Sequence, residues 1–201
     1  YKLKQCEGLA DSMSYWTFSD IFEETGPAPR PFHGGFGLLN MQGLAKPQYY
    51  SYQWLNRLGE EELDCEDSNA WVCRDNNGGA QVLLWDYTYL EQDSPNREFY
   101  AKELPAQSAG PVDVSLDHLP EGEYRLRIYR VGYRRNDVYT AYLDMGSPDA
   151  PSKEQIAQLA AASDGSPEVD ERIALSGKWT RRFELQQNEV VGHVGRHRVG
   201  S

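Results

Sequence analysis

Ser14-Tyr15-Trp16-Thr17-Phe18-Ser19-Asp20-Ile21-Phe22-Glu23-Glu24 sets an aromatic run directly ahead of two adjacent carboxylates. Met13–Phe18 reads as a short buried strand, because aromatic residues suit a pleated, half-buried surface. An indole presents a flat apolar face to the C–H face of a sugar ring, and carboxylates beside it accept hydrogens from the hydroxyls. The same residues also fit a buried aromatic strand that ends in a solvated turn. The Gly- and Pro-rich loop that follows, Gly26 to Gly43, contains Phe32-His33-Gly34-Gly35-Phe36-Gly37.

Working outward, residues near Leu3–Leu9 read as the end of a helix, with Gly8 near its C-terminus. On the other side, Pro47–Leu58 reads as a helix. Pro47 suits the first helical position, where its missing N–H costs nothing. Tyr50, Trp54, Leu55 and Leu58 fall on one face, and Gly59 sits where a left-handed cap is expected. Helix end, strand, long loop and helix make one βα unit, and one such unit cannot bury its own faces.

From Glu60 onward the patterning is mostly β. Ala70–Arg74 and Gln81–Tyr89 are strand candidates joined through Asp75-Asn76-Asn77-Gly78-Gly79, a strong hairpin signal. Val112, Val114 and Leu116 alternate with polar residues, as do Tyr124, Leu126 and Ile128, with Pro120-Glu121-Gly122-Glu123 as a turn between them. Val138–Leu143, Arg172–Leu175, Arg181–Leu185 and Val190–Val194 are further strand candidates. Ser152-x-x-Gln155 is a capping box that opens one helix, with Ile156 and Leu159 on its apolar side. Short strands separated by turn signals predict an antiparallel β-sandwich. Trp71 and Trp85 read as its core anchors.

The bulk numbers narrow the function classes. The 201 residues, 39% hydrophobic and 25% charged, suit a globular protein of one large or two small domains. No apolar run approaches the roughly 18–20 residues of a membrane span, so no membrane partner is expected. A net charge of −11 repels phosphate backbones, so no nucleic acid is expected either. Arg130, Arg134 and Arg135 make a local basic cluster, best read as a solvated strand edge. Cys6, Cys65 and Cys73 show no Cys-x-x-Cys spacing, and the four histidines do not complete a ligand set, so neither metal nor cofactor is expected. Cys65 and Cys73 could pair across a short loop, but reduced cysteines and a cytoplasmic location are the expectation. Tyr1-Lys2-Leu3-Lys4 is no signal peptide, since Cys6-Glu7-Gly8 interrupts any apolar region. The chain lacks an initiator Met and is expected to be a fragment.

Three stretches together resemble the C-terminal part of a glycoside hydrolase family 39 β-xylosidase. They are Ser14–Glu24, Pro31-Phe32-His33-Gly34-Gly35-Phe36-Gly37, and Lys46-Pro47-x-Tyr49-Tyr50 with Leu58-Gly59. Val82-Leu83-Leu84-Trp85-Asp86-Tyr87, Leu119–Tyr124 and Asp144-Met145-Gly146-Ser147-Pro148 are similar more loosely. The resemblance implies a (β/α)8 barrel with an attached β-sandwich. Residues 1–59 would be the end of the barrel (strand 8, substrate loop, helix 8) and residues 60–201 the sandwich, with the earlier barrel strands absent. It also implies retaining hydrolysis, which needs two carboxyl groups about 5–5.5 Å apart on opposite sides of the glycosidic bond. Glu23 and Glu24 are consecutive and approach from one wall, and no Asn-Glu-Pro motif occurs, so neither reacting carboxylate is expected here.

By the same resemblance, Trp16 is the aromatic platform for the reacting sugar, and Glu23 and Glu24 accept its hydroxyls. His33 and Phe32 are further candidates for the substrate, and Asp20 is expected to tie loop backbone. The implied partners are xylose or a xylo-oligosaccharide and the missing N-terminal barrel portion. An incomplete barrel would expose Tyr15, Phe18 and the Tyr50/Trp54 face, which favours a homo-oligomer. Two other readings stand beside this one. A different family specificity, such as an α-L-iduronidase, would want a cation for a uronic acid, and no Arg or Lys occurs between Tyr15 and Glu24. A non-catalytic carbohydrate-binding or assembly β-sandwich would show an exposed row among Tyr87, Tyr89, Tyr129, Tyr133, Tyr139 and Tyr142.

Overall fold

The computed structural model describes residues 1–21, 28–74 and 78–195. The chain divides into two compact units. One comprises residues 1–51, 88–105 and 131–165, the other 52–87, 106–130 and 166–201.

The second unit holds the sheet. Its strands are β1 (Glu61–Glu62), β2 (Ala70–Arg74), β3 (Ala80–Trp85), β4 (Ser108–Val131), β5 (Val169–Gln186) and β6 (Val190–Val194), in the order β1-β2-β3-β6-β4-β5. The mainly-β expectation is met as a six-stranded antiparallel sheet. The hairpin is present: Val72 faces Val82 and Ala70 faces Leu84. Residues 75–77 of its turn lie outside the described residues. β3 is buried along its whole length, so its sequence Ala80-Gln81-Val82-Leu83-Leu84-Trp85 is nearly all apolar instead of alternating. One apolar cluster joins Val82 and Leu84 to Leu126, Ile128, Trp179 and Phe183. Trp71 and Trp85 meet edge-on at 5.6 Å.

Where short strands are expected, two long ones form. Val112–Leu116 and Tyr124–Ile128 belong to the single strand β4, and Arg172–Leu175 and Arg181–Leu185 to β5. The predicted turn at Pro120–Glu123 is a bulge within β4. Register shifts against β5 fall between Ser108 and Gly110, Asp117 and Leu119, and Leu119 and Gly122. Each spans or ends on a residue of positive φ: Gly110 (96°), His118 (59°) and Gly122 (153°). A bulge inserts one extra residue without ending the ladder, so Gly and Pro here bend a strand instead of stopping it.

The first unit is helix and loop. α1 (Lys2–Gln5) ends near Gly8, whose φ is 70°, as the sequence suggests. α2 (Pro47–Leu55) starts at the predicted proline but stops before Leu58, and its second half belongs to the sheet unit. Gly59 is absent from the positive-φ glycines; its N–H instead donates to Gln81 Oε1. α3 (Asn96–Tyr100) has no counterpart among the predicted elements. Val138–Leu143, expected as a strand, is helix α4 (Val138–Asp144). Its Asp137 cap accepts from the N–H groups of Tyr139 and Thr140, and Val138 and Tyr142 bury one face at helical spacing. α5 (Lys153–Ala162) carries the predicted capping box. Phe32, Leu44, Val138, Tyr142 and Leu159 form this unit's core.

Two expectations about surfaces are corrected. Met13–Phe18 is neither a strand nor buried; Trp16 is 69% exposed. Among the described residues only Leu38 and Leu39 pair with the segment's backbone, too little to make a ladder. Tyr50 and Trp54, expected to be exposed, are buried. Tyr50 donates its hydroxyl to Ser163 O within its own unit, and Trp54 packs against Tyr129 at 5.6 Å in the other. The tyrosines make no exposed row either: Tyr129 and Tyr142 are buried, and Tyr139 and Tyr142 lie on a helix.

Candidate functional site

The site is built on the two loop segments on either side of residues 22–27, which lie outside the described residues. Tyr15–Asp20 runs beside Phe36–Leu39. Leu38 N–H donates to Thr17 O at 3.1 Å, Leu39 N–H to Phe18 O at 2.9 Å, and Asp20 N–H to Leu39 O at 2.9 Å. Tyr15 Oη donates to Phe36 O at 2.6 Å. Leu9, Met13, Tyr15, Trp16, Phe18 and Ile21, in and around this segment, are all exposed.

Under the segment lies a buried ion pair. Lys46 Nζ stands 2.7 Å from Asp20 Oδ2, with 11% and 1% of the two side chains exposed. Asp20 Oδ1 accepts from Gly37 N–H at 2.8 Å, and Lys46 Nζ donates to Gly35 O at 2.7 Å. As the sequence suggests, Asp20 ties loop backbone. The glycines make this approach feasible: a Cβ on Gly35 would fall 2.6 Å from Asp20 Oδ1, and one on Gly37 would fall 2.3 Å from the Ser19 carbonyl carbon. Burial pulls the Lys46 ammonium below its usual value, opposed by the Asp20 carboxylate. Asn40, buried, organises the turn leading to Lys46, accepting from Gln42 N–H at 3.0 Å and Leu44 N–H at 2.9 Å.

The sequence-predicted residues divide as follows. Trp16 presents its indole outward on this pinned segment. Glu23 and Glu24 lie outside the described residues. His33 is half-buried, and a Cβ on Gly35 would fall 2.8 Å from its Nε2 and 2.6 Å from Asp20 Oδ1. Burial lowers its pKa, with the Asp20 charge opposing. Phe32 is buried, and its ring packs on Tyr142 at 4.9 Å and Tyr139 at 5.7 Å. Sequence reasoning passes over Lys46 and Asn40. The only signal for them is a lone lysine directly before a helix-opening proline, and an Asn two residues ahead of Gln42 in a tight turn.

Among the described residues, then, an exposed indole stands on a segment whose own carboxylate, Asp20, is already engaged. The model of the glycosyl hydrolases family 39 matches residues 2–180. The chain belongs to this family. Its fold is close to that of solved relatives. A monomeric β-xylosidase from Caulobacter crescentus CB15 superposes with a TM-score of 0.91 at 40% identity, covering 98% of this chain and 40% of that one. The GH39 enzyme from Xanthomonas axonopodis pv. citri gives 0.89 at 38% identity, covering 96% and 38%. A β-xylosidase of Geobacillus stearothermophilus is 30% identical over 183 residues, 90% of this family 39 chain and 33% of its own length. The family 39 chain thus spans about a third of that relative. The three cysteines are free thiols. No helix among the described residues is long and apolar enough to cross a membrane.

Proposed function

We propose that this chain is the C-terminal portion of a retaining β-xylosidase that removes xylose from short xylo-oligosaccharides, and that it supplies one wall of the sugar site. Residues 1–59 are the end of a (β/α)8 barrel and residues 60–201 its β-sandwich. Trp16 stacks on the C–H face of the reacting xylose, while Glu23 and Glu24 accept its hydroxyls; His33 backs the loop. Both reacting carboxylates come from earlier barrel strands. The observation that carries the reading is the exposed Trp16 indole on a segment pinned from beneath, in a family 39 chain. The exposed apolar side chains of Leu9, Met13, Phe18 and Ile21 support it, since exposed apolar surface favours being covered.

In this geometry the wall acts on the transition state. Hydrogen bonds to a carboxylate are charge-assisted, and those that tighten as the ring flattens lower the barrier instead of merely holding substrate. The test uses the full-length protein and an aryl β-xyloside. Trp16→Ala and Glu23→Gln are each expected to lower kcat/KM by roughly 10- to 100-fold, the equivalent of about 1.5–3 kcal/mol. The 201-residue chain alone is expected to show no turnover. Turnover by the chain alone that survives Glu23→Gln, or full-length variants as active as the parent, would overturn the assignment.

A further inference from the structure

The Asp20–Lys46 pair is an unusual thing to find beneath an exposed aromatic. A buried ion pair is poor value as a stabiliser, because the desolvation of both charges offsets most of their attraction. Here each partner also holds backbone on the opposite strand of the loop: Asp20 takes Gly37 N–H and Lys46 takes Gly35 O. Each group therefore reads the position of the same three-residue stretch. Two glycines leave the carboxylate room, and a Cβ at either would collide with it or with its backbone. Lys46 itself is fixed at both sides, its N–H donating to Leu38 O at 2.9 Å and its successor Pro47 opening α2. Trp16 stands four residues ahead of Asp20, on the segment that pairs with Leu38 and Leu39.

We propose that Asp20 and Lys46 are positioning residues for Trp16: the pair locks the Tyr15–Asp20 segment onto Gly35–Leu39 from the buried side and so fixes where the indole meets the sugar. Neither side chain touches substrate. Their charge is needed because it holds four points of two loops in one arrangement that no ladder supplies. The inference rests on the sugar-platform reading of Trp16 given above.

A purely structural pair and a positioning pair differ in how they couple to Trp16. In the full-length enzyme, Lys46→Met is expected to lower kcat/KM for an aryl β-xyloside about tenfold, mostly through KM. In a Trp16→Ala background the same change is expected to lower it less than twofold. The loss in Tm should be the same in both backgrounds. Lys46→Arg should restore most of the activity. If Lys46→Met does not fold, the isosteric Asp20→Asn carries the same comparison. Equal losses of kcat/KM in both backgrounds, or none in either, would overturn the proposal. A second readout needs no turnover. The Trp16 share of indole emission, taken as the difference from Trp16→Ala, should lose anisotropy in Lys46→Met and keep it in Lys46→Arg; unchanged anisotropy also overturns the proposal. An enzyme inactive before any substitution would refute the β-xylosidase reading, while the anisotropy would still decide the role of the pair.

Discussion

In the sheet unit a backbone N–H finds its partner across a ladder; in the unit that carries Trp16 it often finds a buried side chain. β4 and β5 alone pair over most of their lengths, and one apolar cluster runs beneath them. The sheet unit does contain a buried charge pair, Arg130 with Glu189 at 2.7 Å, but it closes a turn at the end of existing strands. Around Trp16 the corresponding work falls to Asp20, Asn40 and Lys46. The difference teaches where precision comes from. Ladders spread an error over many bonds, so one substitution shifts little. Point anchors concentrate it, which suits a surface where one side chain must stand in one place.

The contrast can be broken most forcefully from the sheet side. Phe183→Ala empties a buried position and is expected to cost about 3–5 kcal/mol in denaturant unfolding. Amide exchange should rise along β4 and β5. Asn40→Ala is expected to cost about 2 kcal/mol, because the N–H groups of Gln42 and Leu44 lose a buried acceptor. Exchange should then rise at residues 38–46 and stay unchanged in the sheet. If both variants open the same amides, the two units are one cooperative body and the contrast fails. Ser152→Ala removes the α5 cap and is expected to cost about 1 kcal/mol, seen as a lower urea midpoint.

The smallest effect concerns pH. The folded pKa of His33 lies below the ordinary 6.5, with burial the leading cause. Between that folded value and 6.5 the unfolded chain binds the extra proton, so stability rises with pH across the window and is lost as pH falls through it. Unfolding midpoints at pH 7.5 and 5.5 should show this slope, and His33→Gln should reduce it. An unaltered slope in the variant would assign the pH dependence elsewhere.

The hairpin Ala70–Leu84, strand Val190–Val194, the start of α2 and the α5 capping box were all legible in the sequence, because each is specified by residues adjacent in the chain. What failed depended on distant partners. Val138–Leu143 has the β-branched and aromatic content of a strand, yet as a helix it packs Val138 and Tyr142 with Phe32, Leu44 and Leu159. Pro120 and Gly122 carry turn chemistry, yet the ladder with β5 continues past them. Met13–Phe18 has the composition of a strand, but among the described residues only Leu38 and Leu39 pair with its backbone. For the site, the aromatic run made Trp16 visible. The Asp20–Lys46 contact was not, since 26 positions separate the two residues and no pattern links them.

The three bulges in β4 also impose an arithmetic on the chain. Inward-facing residues of β5 keep odd numbers throughout, from Ile173 and Leu175 to Trp179, Phe183 and Leu185. On β4 the inward set is even at Val112, Val114 and Leu116, odd at Leu119, and even again at Tyr124, Leu126 and Ile128. Two bulges switch the parity and switch it back. Deleting the extra residue at a bulge would leave every apolar side chain facing its partner, whereas deleting a paired residue between bulges would turn one end of the strand inside out. A change of one residue in this strand is thus tolerated at a bulge and barred from the paired stretches between.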